Sequence, residues 1–288
     1  MIFDSHAHVV SDDMTRYPPA PLSGSLDRPL DNPNTAEKLL RSMDELKIGR
    51  AVIVQRAHVY GYDNTYVCDS AHHYRDRLVA VCCIDAQAAD AAERAQYWLG
   101  EREAAGLRLT EPFKGANTDW FAGAAAQPVW ELANRLGASI CLHMYRWNRV
   151  ETLEQLPPIL ERYSKVQVIL DHVSNLAAES GPPDYGIDAI LVDLVHYSNL
   201  FQKFTTINFG KLAAQNLPAA PVVKRVVAEF GARRVMWGSD VAQSAGTYPE
   251  LLALADTAFQ DLTASERAAV LFDSCDQVYG GRWRAAAR

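Results

Sequence analysis

The chain has 288 residues, 49% of them hydrophobic and 22% charged, with a formal net charge of −7. That composition supports a sizeable core and supplies no basic field for a nucleic-acid backbone, so nucleic acid is excluded as a partner. No apolar run approaches the roughly 20 residues of a membrane span, and residues 1–30 lack the basic start and apolar stretch of a signal peptide, so a cytoplasmic protein is expected. Cys68, Cys82, Cys83, Cys141 and Cys275 are odd in number and lack CxxC spacing, which points to reduced, buried thiols.

Short β-rich runs alternate with segments of helical spacing. The first strand is predicted at 1–3, followed by a Pro-rich loop over 12–33 and a helix from an Asn34 or Thr35 cap to 47, with Leu39, Leu40, Met43 and Leu46 on one face. A strand at 50–55 and a helix over 63–74 come next, then a strand at 78–84 and an Ala-rich helix over 88–104. Strands at 106–109 and 138–142 flank a helix over 128–136. A helix over 150–163 precedes a strand at 166–170, and one over 185–197 precedes a strand at 200–206. The last units are a helix over 220–230, a strand at 233–237 and a helix over 248–259.

Eight near-continuous apolar strands, each followed by a helix, imply a parallel sheet covered on both faces. Eight units favour closure, and no GxGxxG opens any helix, so one domain over 1–288 with a (β/α)8 TIM-barrel fold is expected.

In such barrels chemistry sits at the C-terminal ends of the strands. That filter retains His6 and His8, His58, Asp85, Arg108, His143, His172 and Asp240. Barrel closure brings the first and last strands together, so these residues would share one mouth. Neutral imidazoles and a carboxylate suit Zn²⁺, Mn²⁺ or a similar divalent ion. One residue between His6 and His8 keeps both on the same face of a strand. His72, His73 and His196 lie on helices and are assigned to the surface or to packing.

The pattern Phe3-Asp-Ser-His-Ala-His8, the strand-end His143, Leu170-Asp-His172 and Met236-Trp-Gly-Ser-Asp240 resembles the amidohydrolase superfamily, specifically its amidohydrolase-related branch. That branch holds lactone hydrolases resembling the pyrone-dicarboxylate and sugar-lactone hydrolases, with metal-dependent decarboxylases of aromatic or muconate-type acids. Arg16-Tyr-Pro18, Gly106-Leu-Arg-Leu109 and Gln202-Lys-Phe204 resemble the lactonase side. The superfamily's bridging lysine at strand four has no match; Arg108 occupies that region, which implies one metal ion or none.

The resemblance implies a metal held by His6, His8 and either His143 or His172, with Asp240 as ligand or general base and the remaining histidine, His172 in the preferred assignment, acting as acid or electrophile. Arg108, Lys114, Arg146 and Lys203 are expected to bind an anionic substrate, the arginines through bidentate pairing. Tyr17 is expected to cover the mouth or to reach substrate, and Trp147 and Asn148 to wall the pocket. The implied activity is hydrolysis of a small anionic lactone. The alternatives are non-oxidative decarboxylation by the same ring of ligands, and an inactive barrel serving as a binding module. A homo-oligomer stays open.

Overall fold

In the computed structural model, residues 1–26, 29–111 and 117–286 are described. Eight strands stand in sequence order: β1 (Ile2–Ala7), β2 (Ile48–Val54), β3 (Leu78–Cys83), β4 (Gly106–Thr110), β5 (Ser139–His143), β6 (Gln167–Leu170), β7 (Leu200–Thr205) and β8 (Val235–Gly238). Each pairs in parallel with the next. The seam between β8 and β1 is closed by Asp240 N donating to the His6 carbonyl (2.7 Å) and His8 N donating to the Val241 carbonyl (3.2 Å). Gly238 permits this approach, because a Cβ there would lie 2.4 Å from that of His6. The fold is the expected (β/α)8 barrel.

Two cores follow from strand alternation. Leu107, Leu109, Ile140 and Leu142 face outward onto the helices. Phe3, Val52, Val81, Cys141, Ile169, Phe201 and Met236 fill the barrel interior, which Cys275 and Tyr279 of the helix Ser274–Ala286 stopper. All five cysteines are free and buried.

β1 departs from strict alternation. Asp4 pairs with Ala51 and Ala7 with Ile53, three steps on β1 against two on β2, which is a β-bulge. Phe3 points into the barrel, so unbroken alternation would have turned His6 outward and Ala7 inward. The extra residue reverses this: Ala7 joins the outer core and His6 turns in beside His172.

Several predicted helices differ. The segment 150–163 is two helices, Arg149–Gln155 and Pro157–Arg162, because Pro157 and Pro158 lack the N–H groups that continuity needs. Only Ala189–Val192 is helical within 185–197, since Tyr185 and Gly186 adopt positive φ and Asp188 caps a new start. The Ala-rich segment ends early, as Ala91–Gln96 continued by a wider turn, Tyr97–Glu101. Beyond the predicted elements, Thr206–Ala214 is helical despite Gly210, started by a capping box between Thr205 and Asn208.

Candidate active site

The C-terminal ends of the strands enclose a cavity of about 440 Å³. His8, His143, His172 and Asp240 line it together with Arg56 and Arg108, while Leu22, Ala57, Met144, Tyr145 and Ile207 form its apolar wall. Alternation explains the placements. On β4 the outward Leu107 and Leu109 leave Arg108 and Thr110 inward, and on β5 the inward Cys141 leaves His143 at the mouth two residues later.

Asp240 stands in the left-handed region at φ 56. Its Oδ2 accepts from Ser244 Oγ at 2.7 Å. Its Oδ1 faces His8 Nε2 at 3.3 Å and His6 Nε2 at 3.5 Å. Burial works to raise its pKa, but the nearness of His8 outweighs it and holds the carboxylate well below its usual range.

The hydrogen-bond network assigns the imidazole tautomers. His8 Nδ1 donates to the Val54 carbonyl at 2.7 Å, so a neutral His8 turns the lone pair of Nε2 toward Asp240. His172 Nδ1 lies 2.6 Å from Thr205 Oγ1, whose own hydrogen is directed at Asn208 Oδ1 (3.4 Å), so His172 keeps its lone pair on Nε2. Arginine only donates, and Arg108 Nη2 lies 2.7 Å from His143 Nδ1. His143 therefore carries its proton on Nε2 and presents a donor.

All three inner imidazoles are neutral. Burial, then the Lys203 ammonium, pushes His6 well below the ordinary histidine value. Burial, then the Arg108 guanidinium, does the same to His143. Burial lowers His172 to about 4 despite the opposing charges of Asp240 and Asp171.

Below the mouth lies an ionic layer. Asp171 Oδ2 accepts from Arg108 Nε at 2.8 Å, and its Oδ1 stands 3.1 Å from Lys203 Nζ. Burial would raise the Asp171 pKa, but Lys203 and Arg108 together keep it well below the carboxylate range. Lys203 Nζ also lies 3.4 Å from His6 Nδ1.

A divalent ion fits the donor set. His6 Nε2 and Asp240 Oδ1 are buried with no hydrogen-bond partner. The lone pairs of a neutral His8 Nε2 and of Asp240 Oδ1 face each other across 3.3 Å and repel unless a cation or proton lies between them, and His6 Nε2 stands 3.5 Å from the same oxygen. Ligand atoms about 2.0–2.1 Å from a tetrahedral ion stand about 3.3–3.4 Å apart, the same spacing. His6, His172 and Asp240 offer ligand atoms within 4.8 Å of one another, whereas His143 groups with Asp171 and His172. Of the two histidines the sequence left open, His172 thus stands with Asp240 and His143 does not.

Three expected substrate contacts lie elsewhere. Arg146 extends into solvent, its side chain 80% exposed, and pairs with Glu179 Oε1 at 2.7 Å, because it follows the strand end by three residues, in a turn. Tyr17 packs outside the mouth against Val10, Val59 and Tyr60, its hydroxyl donating to Asp69 Oδ2 at 2.7 Å; the same loop reaches the cavity through Leu22 and Ser23 instead. Lys203 is fully buried one layer too deep, since inward Phe201 and Thr205 bracket it and Thr205 takes the rim. Asn148 holds the Tyr145 backbone at 2.8 Å, and Trp147 stacks on Tyr145 at 4.6 Å. Asp85 caps its own turn, accepting from Gln87 N at 2.9 Å, while His58 lines the cavity. Lys114 lies outside the described residues.

Sequence reasoning passed over Arg56 and Tyr145. Arg56 follows β2 by two residues and meets the strand-end rule; its Nε donates to Gln243 Oε1 at 3.0 Å on the cavity wall. Tyr145 carried no signal beyond its nearness to His143.

A parallel barrel with imidazoles from β1, β5 and β6 and a carboxylate beyond β8 defines a metal- or water-activating enzyme scaffold of the amidohydrolase kind. The chain belongs to the amidohydrolase family, whose model matches residues 3–280. It is an enzyme of that fold. No curated protein matches it. Among solved structures it is similar to a probable 2-pyrone-4,6-dicarboxylic acid hydrolase of Acinetobacter baumannii with citric acid bound, at 20% identity over 97% of this chain and 99% of that one, with a TM-score of 0.75. It is also similar to a zinc-bound amidohydrolase of Burkholderia multivorans (19% identity, 97% and 99% coverage, TM-score 0.70). A third likeness is to 2,6-dihydroxybenzoate decarboxylase from Rhizobium (13% identity, 97% and 98% coverage, TM-score 0.65). These likenesses are of fold. Among the described residues no helix is long and apolar enough to cross a membrane.

Proposed function

We propose that the protein is a hydrolase that opens a small anionic lactone, with one divalent ion held by His6, His8, His172 and Asp240. The observation that carries this reading is the buried Asp240 oxygen facing the Nε2 atoms of two imidazoles, His8 and His6, at 3.3 and 3.5 Å at the foot of a cavity walled by cations and apolar side chains. A bound divalent cation lowers the pKa of water toward about 7 and polarises a carbonyl.

Asp240, kept ionised, accepts the proton of the attacking water and returns it to the ring oxygen as the ester bond breaks. His143, fixed as the Nε2–H tautomer by Arg108, donates to the carbonyl oxygen as negative charge develops there. Arg56 and Arg108 on the cavity wall attract the substrate's carboxylate, and Leu22, Met144, Tyr145 and Ile207 cover its ring and exclude water.

The test is a panel of sugar and aromatic-derived lactones followed by proton release, with CO₂ measured in parallel on aromatic and unsaturated carboxylic acids. Ring opening lost in Asp240→Asn supports the proposal. CO₂ release without ring opening assigns the site to decarboxylation instead, and turnover of nothing by metal-loaded protein leaves a binding module.

A further inference from the structure

We propose that Asn175 sets the specificity of the cavity, its amide Nδ2 donating to an uncharged oxygen of the substrate, a hydroxyl or a carbonyl, on the side of the mouth opposite Arg56. The inference rests on the proposed hydrolase reading for the ester that is opened, and not on the metal ion.

His172, Val173, Ser174 and Asn175 adopt φ of 54, 47, 51 and 57. L-residues avoid such a left-handed turn, and strain of this kind persists where surrounding contacts enforce it. The turn sorts its side chains. Val173 and Ser174 are fully buried, whereas His172 and Asn175 both line the cavity.

Lys211, on the helix Thr206–Ala214, fixes which end of the Asn175 amide is available. Its Nζ donates to Asn175 Oδ1 and also reaches the Leu176 carbonyl at 3.4 Å. An ammonium only donates, so the amide oxygen belongs to Lys211 and the NH₂ group is turned away from it. Among the described residues Asn175 Nδ2 meets no acceptor. The amide therefore brings donors to the cavity wall that no neighbour uses. Lys211 does not line the cavity and acts through Asn175, which makes it a positioning residue.

The topology says what those donors face. Arg56 follows β2 and Asn175 follows β6, four strands apart in a ring of eight, so the two stand across the mouth from each other. A carboxylate drawn to Arg56 leaves the far end of a small ring beside Asn175. A neutral amide does not match the charge of a second carboxylate, and with its oxygen turned to Lys211 it does not accept from an ammonium. A hydroxyl or carbonyl oxygen fits.

The experiment compares glucarolactone with γ-carboxy-γ-butyrolactone, a carboxylated lactone without hydroxyls, on wild-type protein, Asn175→Gly, Lys211→Met and Lys211→Arg. Glycine accepts the positive φ, so Asn175→Gly deletes the amide and spares the turn. A KM for glucarolactone raised about 3- to 10-fold in Asn175→Gly, with kcat and the other lactone unchanged, supports the proposal. A smaller rise in Lys211→Met, reversed in Lys211→Arg, supports the positioning role. Equal changes for both lactones in Asn175→Gly, or none, overturn the proposal. Where neither lactone is turned over, calorimetric binding of malate and succinate, which differ by one hydroxyl, carries the test. Tighter binding of malate that is lost in Asn175→Gly supports the proposal, and a preference that is missing or survives the substitution overturns it. Absence of ring opening across the whole lactone panel fells the hydrolase reading and leaves this binding test standing.

Discussion

Asp4 Oδ1 accepts the backbone N–H of Ser239 at 2.9 Å, joining the first strand to the residue beside Asp240. The same oxygen accepts the N–H of His6 at 2.9 Å, and Oδ2 accepts from Tyr248 Oη at 2.7 Å. One buried carboxylate therefore fixes the bulge that turns His6 inward and the loop that delivers Asp240. Asp4→Ala should lose roughly 3 kcal/mol or more of stability, since hydrogen bonds to a charged group contribute about 1.5–3 kcal/mol each. It should also lower zinc affinity. Asp4→Asn keeps one acceptor oxygen and should cost about half as much. Urea unfolding and metal titration check both, and an Asp4→Ala protein with wild-type zinc affinity would remove Asp4 from the site's support.

Asp240 and the His6–His8 pair are expected to fail differently. Asp240→Asn removes the proton acceptor and should reduce turnover by about 10²–10⁴-fold. His8→Ala leaves that acceptor but takes away one of the two imidazoles facing it, so its main effect should be loss of zinc. Rate and metal content measured on the same preparations separate the two, and retained zinc in His8→Ala speaks against its role as a ligand.

The barrel and the first and last members of the site were legible in the sequence because strand ends carry a positional rule: His6, His8, His143, His172 and Asp240 all obey it. The bulge in β1 was not legible, since nothing in Asp-Ser-His-Ala announces an extra residue, yet it decides which face His6 takes. Arg146 and Tyr17 sit in loops whose paths depend on contacts far away in sequence, with Glu179 and Asp69. Lys203 was misplaced by one layer. A strand reading sees that a residue points inward but not its depth, which depends on how the parallel strands are staggered.

Lys203 illustrates the difference in measurable terms. As half of a buried ion pair with Asp171, it should cost about 3–5 kcal/mol when changed to Met, because Asp171 loses one of its two compensating charges. Combined with Asp171→Asn the loss should be smaller than the sum of the single changes, giving a coupling energy in a double-mutant cycle. A direct substrate contact would instead raise KM and leave the unfolding midpoint unchanged.

The turn that carries His172 is held in a costly conformation. His172, Val173, Ser174 and Asn175 all adopt φ between 47 and 57, a left-handed turn that L-residues avoid. Arg149 Nε donates to the Ser174 carbonyl at 2.9 Å, and Asn208 Nδ2 to the His172 carbonyl at 2.8 Å. Asn208→Ala should therefore destabilise by about 1–3 kcal/mol and increase hydrogen exchange at residues 172–176. Exchange unchanged there would show that Asn208 does not maintain the turn.

Acid sensitivity follows from the neutral histidines. The folded-state value of His172 is lowered to about 4 from 6.5, so the unfolded chain binds the extra proton between those two pH values. Stability rises with pH wherever the unfolded state holds more protons. The contribution of His172 is therefore complete above about pH 6.5 and is lost as pH falls toward 4, a difference of about 3 kcal/mol. His6 and His143, lowered for the same reason of burial, act in the same direction. Protein stripped of metal by a chelator should show a urea midpoint that declines steeply from pH 7 to pH 5, and His172→Gln should flatten part of that slope. An identical slope in the variant would mean that folding does not shift the His172 titration, and with it would go the assignment of a His172 held neutral by burial.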